Sequence, residues 1–153
     1  MDLRKTVTRG FTAAAIAAVP VFMAASPAAA FELHSKTVVA EHTLIDFAGD
    51  PVTCQVEYDS AISRGTTSSP YAAEATTQTF SSTTTDPEPC RSFVSVEIAY
   101  HDLTGRPRQA RSFGADFVDL QLDEVQGNIV VTHQVFFLNC SANCETTATT
   151  SPK

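Results

Sequence analysis

Hydrophobic and polar residues alternate with a period of two along much of the chain beyond residue 50. The alternation is clearest over residues 52–59, 94–100 and 117–124. A period of two places one face of an extended strand on a core and the other face in water. The pattern therefore predicts three amphipathic strands, and it turns Cys54 toward the interior.

Further strands are predicted where the pattern is less regular. Residues 128–138 are apolar on both faces toward their end, which indicates a strand in the middle of a sheet. Residues 37–42 and the Thr-rich residues 73–80 are weaker strand predictions. Turns are predicted at residues 103–107 and 126–128, where Gly and Pro supply the backbone angles that hairpins need.

Together these elements predict an all-β domain of about six to seven antiparallel strands. The favoured architecture is a disulfide-stapled, two-sheet β-sandwich of immunoglobulin-like type, and a small β-barrel is the alternative. The chain contains no Trp, so the Cys…Trp…Cys signature of true immunoglobulin domains is missing and the term describes architecture alone.

Composition marks the boundaries of this domain. Ser, Thr, Pro and Gly are dense over residues 63–71 and 81–89, which we expect to be surface loops. Residues 145–153 are expected to form a flexible polar tail. A single domain is therefore predicted over residues 31–144.

The first thirty residues have the layout of a cleavable secretory signal peptide. Three basic residues precede an apolar run over residues 11–25, and three alanines at residues 28–30 supply a small-residue cleavage pattern before Phe31. The run is shorter than the roughly 20 apolar residues of a membrane-spanning helix. We therefore expect residues 1–30 to direct export by the general secretion route, leaving an extracellular protein that is not stably inserted in a membrane.

Charge narrows the classes of partner. The 153-residue chain holds 10 Lys and Arg against 17 Asp and Glu, a formal net charge of −7. Removing residues 1–30 takes away three basic residues and one acid, which brings the net charge to −9. Nucleic-acid backbones are bound through Lys and Arg, so nucleic acid is not an expected partner. The Ala-rich leader and the excess of Arg over Lys favour a bacterial source.

All four cysteines, Cys54, Cys90, Cys140 and Cys144, lie in the predicted mature part. An even number of cysteines in an oxidising compartment predicts disulfides. A zinc site is disfavoured, because only Cys140 and Cys144 are close in sequence and no His lies near them.

Hairpin register distinguishes among the three possible pairings of the four cysteines. Folding at the two predicted turns places Cys90 and Cys140 about six residues apart along the strand between them, roughly 20 Å. A disulfide requires Cα atoms ~4.4–6.8 Å apart. The prediction is therefore Cys54 with Cys90 and Cys140 with Cys144.

No residue pattern points to catalysis, and we expect no enzymatic activity, cofactor or metal. His101 and Asp102 are neighbours on a strand, so their side chains point to opposite faces. No G-x-S-x-G nucleophile context is present. His133 lies on an apolar face, which favours a core histidine, and His34 and His42 have no ligand spacing.

An acidic cluster would suit Ca²⁺, which prefers carboxylate oxygens. Its members are Asp116, Asp119, Asp123 and Glu124. The D-x-D-x-D-G loop pattern is missing, and the alternation favours an ordinary solvated strand face.

Arg106, Arg108 and Arg111 concentrate basic charge around one hairpin of an acidic protein. Loop tips on a rigid sheet often carry binding contacts, and the guanidinium fork suits carboxylate and phosphate groups. These three residues are the candidate ligand contacts, with a solvated turn as the alternative.

The expected function is a secreted, non-enzymatic binding or interaction module whose partner is a protein, a cell-wall component or a small molecule. One alternative is an inhibitor of extracellular proteases with residues 81–89 as the inhibitory loop. The other is a hydrolase whose site is assembled from scattered His and Asp residues.

Overall fold

Seven antiparallel strands make up most of the part of the chain that a computed structural model describes, namely residues 32–65, 68–81 and 88–152. The strands are β1 (Glu32–Ile45), β2 (Pro51–Arg64), β3 (Tyr71–Ser81), β4 (Ser92–His101), β5 (Pro107–Ala115), β6 (Phe117–Phe137) and β7 (Glu145–Thr150). A 3₁₀ turn, η1 (Glu88–Cys90), precedes β4. The predicted signal peptide and the centres of the two predicted loops, residues 66–67 and 82–87, lie outside the described residues.

The long strand β6 belongs to two sets of neighbours. Its residues 117–125 pair with β3, which continues through β2 to β1. Its residues 126–137 pair with β4 and, over part of their length, with β7, while β5 flanks β4. We call β1, β2, β3 and residues 117–125 the first half of the sheet, and β4, β5, β7 and residues 126–137 the second half. Strands β1 and β5 end the strand order, and the sheet is not closed.

The alternation locates strands correctly, and the all-β antiparallel prediction is confirmed. The segments predicted over residues 52–59, 94–100 and 117–124 lie inside β2, β4 and β6. The weaker predictions over residues 37–42 and 73–80 lie inside β1 and β3.

The hairpin predicted at residues 126–128 is wrong, because β6 runs straight through it. Gly127 has a φ of 76° and Glu124 a φ of 59°, and the register of β6 shifts against both β3 and β4. These irregularities are β-bulges rather than a chain reversal. They change the inward-facing positions from even numbers, such as Val118, to odd numbers, such as Val131.

The predicted flexible tail is instead strand β7 over most of its length. Strand β7 pairs antiparallel with β6, and Thr150 is buried. The composition is polar, but Thr146, Ala148 and Thr150 are the more buried positions and alternate with exposed ones. Threonine is β-branched and suits a half-buried strand, so the ordered domain extends beyond residue 144.

Two disulfides, Cys54–Cys90 and Cys140–Cys144, are the pairs that the sequence predicts. The hairpin at residues 126–128, on which that prediction depends, is absent because β6 runs through it. Because Ser92 pairs with Phe137, Cys90 and Cys140 lie near the same end of the β4–β6 pair rather than roughly 20 Å apart. The first bridge ties β2 to η1, and the second closes the connection between β6 and β7.

A substitution of Gly127 tests the bulge in β6. Alanine there is expected to lower the free energy of unfolding by about 2–3 kcal/mol, because a side chain at positive φ is strained by about 1–2 kcal/mol and the new Cβ would meet a neighbour. That Cβ would lie 2.6 Å from His101 Nδ1. Gly49→Ala is the matched control, since Gly49 has a φ of 90° and no atom within 4 Å of an added Cβ. Equal losses in urea unfolding would show that His101 does not constrain the bulge.

Candidate functional site

The three candidate arginines do not form one cluster. Arg108 and Arg111 are three positions apart on β5, so their side chains point to opposite faces of the strand. The Arg108 guanidinium donates to Asp102 Oδ2 at 2.9 Å, whereas Arg111 Nη2 donates to Gln134 Oε1 at 2.7 Å. Arg106 is exposed in the turn that joins β4 to β5.

The Asp102 carboxylate organises that turn. Oδ1 accepts hydrogen bonds from the Thr104 hydroxyl at 2.6 Å, the Thr104 amide at 2.9 Å and the Arg106 amide at 3.0 Å. The Thr104 hydroxyl, the Arg106 amide and the Arg108 guanidinium hold the pKa of Asp102 well below its usual range. Asp102 therefore stays ionised and is committed to the hairpin.

Beside the hairpin lies a surface groove of about 330 Å³, which is at the small end of ligand-site volumes. Its lining residues are Ala99, Tyr100, His101, Pro107, Arg108, Gln109 and Asn128. The groove offers one aromatic ring, one imidazole, one guanidinium and two amides, and none of its lining side chains is acidic. Such a surface suits a small polar molecule that carries hydroxyl, carbonyl or carboxylate oxygens.

His133 lies between the two halves of the sheet and is fully buried. Its Nδ1 hydrogen-bonds with the Thr77 hydroxyl at 2.8 Å and its Nε2 with the Thr150 hydroxyl at 3.0 Å. The Tyr58 ring packs against the imidazole with centroids 5.3 Å apart. The contacts are those of a core histidine whose two nitrogens are both hydrogen-bonded.

Burial lowers the pKa of His133 to about 4, although the charge of Asp59 opposes the shift. The unfolded chain therefore takes up a proton near pH 6.5 that the folded chain accepts only near pH 4. Stability from this group is complete above pH 6.5, falls as the pH is lowered and is lost below about pH 4, a change of about 3 kcal/mol. Urea unfolding at intervals from pH 7.5 to 4 measures this change. A free energy of unfolding that does not fall over this range would contradict the assignment.

His42 also has a structural place. Its Nε2 hydrogen-bonds with the Asn143 carbonyl at 2.6 Å, and its ring stacks on Phe137 with centroids 5.3 Å apart. His34 lies on β1. His101 packs under Gly127, so these histidines lie at different places in the fold.

The predicted acidic cluster is dispersed. Asp116 has a φ of 59° and its Oδ1 accepts the Ser92 amide at 2.6 Å, which joins the β5–β6 corner to β4. Asp119 and Asp123 are exposed on residues 117–125 of β6, and Glu124 occupies a bulge. Across the described ranges, no group of three or more His, Cys, Asp or Glu side chains is placed to hold a metal ion.

Sequence reasoning missed a cluster of exposed apolar side chains on the second half of the sheet. Its members are Phe93 (47% exposed), Phe113 (65%), Phe136 (52%) and Leu138 (48%). The Phe93 and Phe113 rings have centroids 5.8 Å apart, and Phe93 pairs across the strands with Phe136. The available signal was the apolar residues at outward positions of β4 and β6.

Comparison of this chain with protein-family models, with curated proteins and with solved structures gives no match. Within the described ranges, no helix has the length and apolar character needed to cross a membrane. Inference about function therefore rests on the geometry of the chain itself.

Proposed function

We propose that this chain is an exported, non-enzymatic binding module, of bacterial origin, which holds a small polar ligand or the exposed end of a cell-wall component in the groove beside the β4–β5 hairpin. The observation that carries the proposal is the fixed position of Arg108. Asp102 holds both the turn and the guanidinium, so little side-chain entropy remains to be lost when a ligand binds. Hydrogen-bond donors preset in this way are typical of binding sites on rigid sheets.

The architecture we infer is an immunoglobulin-like β-sandwich, with the two halves of the sheet as its layers. Contacts between their inward faces support this reading: Thr77 of β3 bonds to His133 of β6, and the Thr79 hydroxyl bonds to the Ser92 hydroxyl at 2.8 Å. Two disulfides in the described residues are compatible with an extracellular location. Export would present the hairpin groove to molecules outside the cell.

An NMR titration tests the groove. Soluble peptidoglycan fragments and simple dicarboxylates serve as probes, and the expected result is amide shifts at Tyr100, Gln109 and Asn128. Arg108→Ala should weaken binding about tenfold or more, since a hydrogen bond to a charged group contributes ~1.5–3 kcal/mol. Arg91→Ala is the control, because Arg91 lies before β4, at the far end from the hairpin. Binding that maps elsewhere, or that Arg108→Ala leaves unchanged, contradicts the proposal.

Protease inhibition is a second candidate function, because the end of the loop over residues 81–89 is firmly anchored. Cys90 is tied to Cys54 of β2, and Asn139 Nδ2 donates to the Glu88 carbonyl at 2.7 Å. Inhibitors need such bracing beside the segment that enters the protease. Incubation with a panel of serine proteases should leave an inhibitor intact and the enzyme inactive, and rapid cleavage of this chain without inhibition rejects the candidate.

A further inference from the structure

The outward face of the second half of the sheet is apolar at one end and charged in the middle. At the apolar end, Phe93 of β4 pairs with Ala115 of β5 on one side and with Phe136 of β6 on the other. One row further along, Phe113 pairs with Ser95. These neighbours form a continuous apolar surface across three strands, larger than isolated exposed residues would give.

The next row along the same face carries one charge of each sign side by side. Arg111 of β5 pairs with Glu97 of β4, which in turn pairs with Thr132 of β6. The Arg111 guanidinium is steered over the face by Gln134 Oε1 at 2.7 Å and the Ser95 hydroxyl at 3.1 Å. The face thus combines an apolar end with an ordered pair of opposite charges on adjacent strands.

We propose that this face binds the same face of a second copy of the chain, about a two-fold axis parallel to β4 and β5. Such an axis keeps the apolar end of one copy on the apolar end of the other. It also exchanges the two strands, so that Arg111 of each copy meets Glu97 of the other. The pattern is therefore complementary to itself, as the single repeated patch of a two-fold dimer must be.

The area of the face that overlaps between the two copies sets the expected strength of dimerisation. Because β5 ends the strand order, an axis between β4 and β5 places only these two strands of each copy on each other. Two strands about 4.8 Å apart and roughly 20–25 Å long give about 200–240 Å² per copy, which is smaller than a standard specific interface. We therefore expect weak association, with a dissociation constant in the upper micromolar range. Arg108 of the hairpin groove points away from this face, but Ala99 and Gln109, which also line the groove, pair with each other in the row next to Glu97 and Arg111. Dimerisation is therefore measured without ligand.

Sedimentation equilibrium of the full secreted protein tests the interface. The average mass should rise from that of one chain toward that of two between about 1 and 500 µM. Phe113→Asp should shift the midpoint at least tenfold, whereas Phe117→Asp should not. Phe117 is a matched control because it is 49% exposed and lies on the first half of the sheet. Circular dichroism checks that both variants fold.

A charge exchange tests the orientation of the two copies. Arg111→Glu alone and Glu97→Arg alone each place like charges across the axis, so each should dimerise at least tenfold more weakly than the wild type. An equimolar mixture of the two variants restores two opposite-charge contacts and should form a mixed dimer. Damage to folding in either variant cannot produce that recovery.

Three results would overturn the inference. They are a wild-type protein that stays monomeric up to about 500 µM, a Phe117→Asp variant weakened as much as Phe113→Asp, and a mixture no tighter than its components. Retention of the monomer on an insoluble polysaccharide, lost with Phe113→Asp, would assign the face to a carbohydrate instead.

Discussion

Replacement of His133 by leucine is expected to lower the free energy of unfolding by about 3–4 kcal/mol at neutral pH, because it leaves two buried hydroxyls without partners at about 1–3 kcal/mol each. Those hydroxyls belong to Thr77 and Thr150, which are at most 1% exposed. No water can replace the lost hydrogen bonds without reaching a site between the two halves of the sheet. Urea unfolding at pH 7.5 measures the loss.

The triple variant His133→Leu, Thr77→Val, Thr150→Val separates hydrogen bonding from packing. An apolar replacement of all three groups removes the unpaired hydroxyls, and such replacements can be nearly neutral. We expect the triple variant to recover at least half of the lost stability and to show no dependence of stability on pH from this residue. A triple variant no more stable than the single one would show that shape, rather than polar pairing, sets the requirement for histidine.

Removing the Cys54–Cys90 bridge is expected to destabilise the protein about twice as much as removing Cys140–Cys144. The sequence separations are 36 and 4 residues, and the loop-entropy relation gives about 4 and about 2 kcal/mol. Since the free energy of unfolding of a small domain is only ~5–15 kcal/mol, loss of the longer bridge removes a large part of it. The double variants Cys54→Ala/Cys90→Ala and Cys140→Ala/Cys144→Ala are compared by thermal unfolding.

The two bridges serve as controls for each other, because both double variants remove two sulfur atoms. Cys54 and Cys90 are at most 4% exposed, so some of the larger loss reflects packing. Reduction of the wild-type protein by a thiol opens both bridges and measures their combined contribution without changing a residue. A larger loss from the Cys140–Cys144 pair would show that the anchoring of the β6–β7 connection outweighs chain entropy.

Much of the fold could be predicted because a half-buried strand leaves a period of two in the sequence. That signal located β2 and β4, and it showed that Cys54 faces inward. It failed at Gly127, because glycine serves a hairpin and a bulge equally well and only the pairing partners distinguish them. It failed again over Glu145–Thr150, because all but one of these residues are polar and their alternation between more buried and exposed positions becomes visible only when β7 pairs with β6.

The site was harder to predict than the fold. The three arginines are close together in the sequence, but the pleat of β5 points the side chains of Arg108 and Arg111 to opposite faces. Apolar residues on both faces, Phe136 and Leu138 among them, predict a strand in the middle of a sheet. Strand β6 is indeed flanked by other strands, yet these two side chains are about half exposed, since the face they occupy has no covering layer among the described residues.

The shared strand β6 has a consequence for how the molecule opens. Amides in residues 117–125 are protected by the first half of the sheet and those in residues 126–137 by the second. Strand β6 is the outer strand of the first half and an inner strand of the second half. Neither half can release it without disturbing the other, so partial opening of one half is suppressed. Hydrogen exchange in β3 and β4 should consequently occur through one common unfolding event, with a single free energy for both.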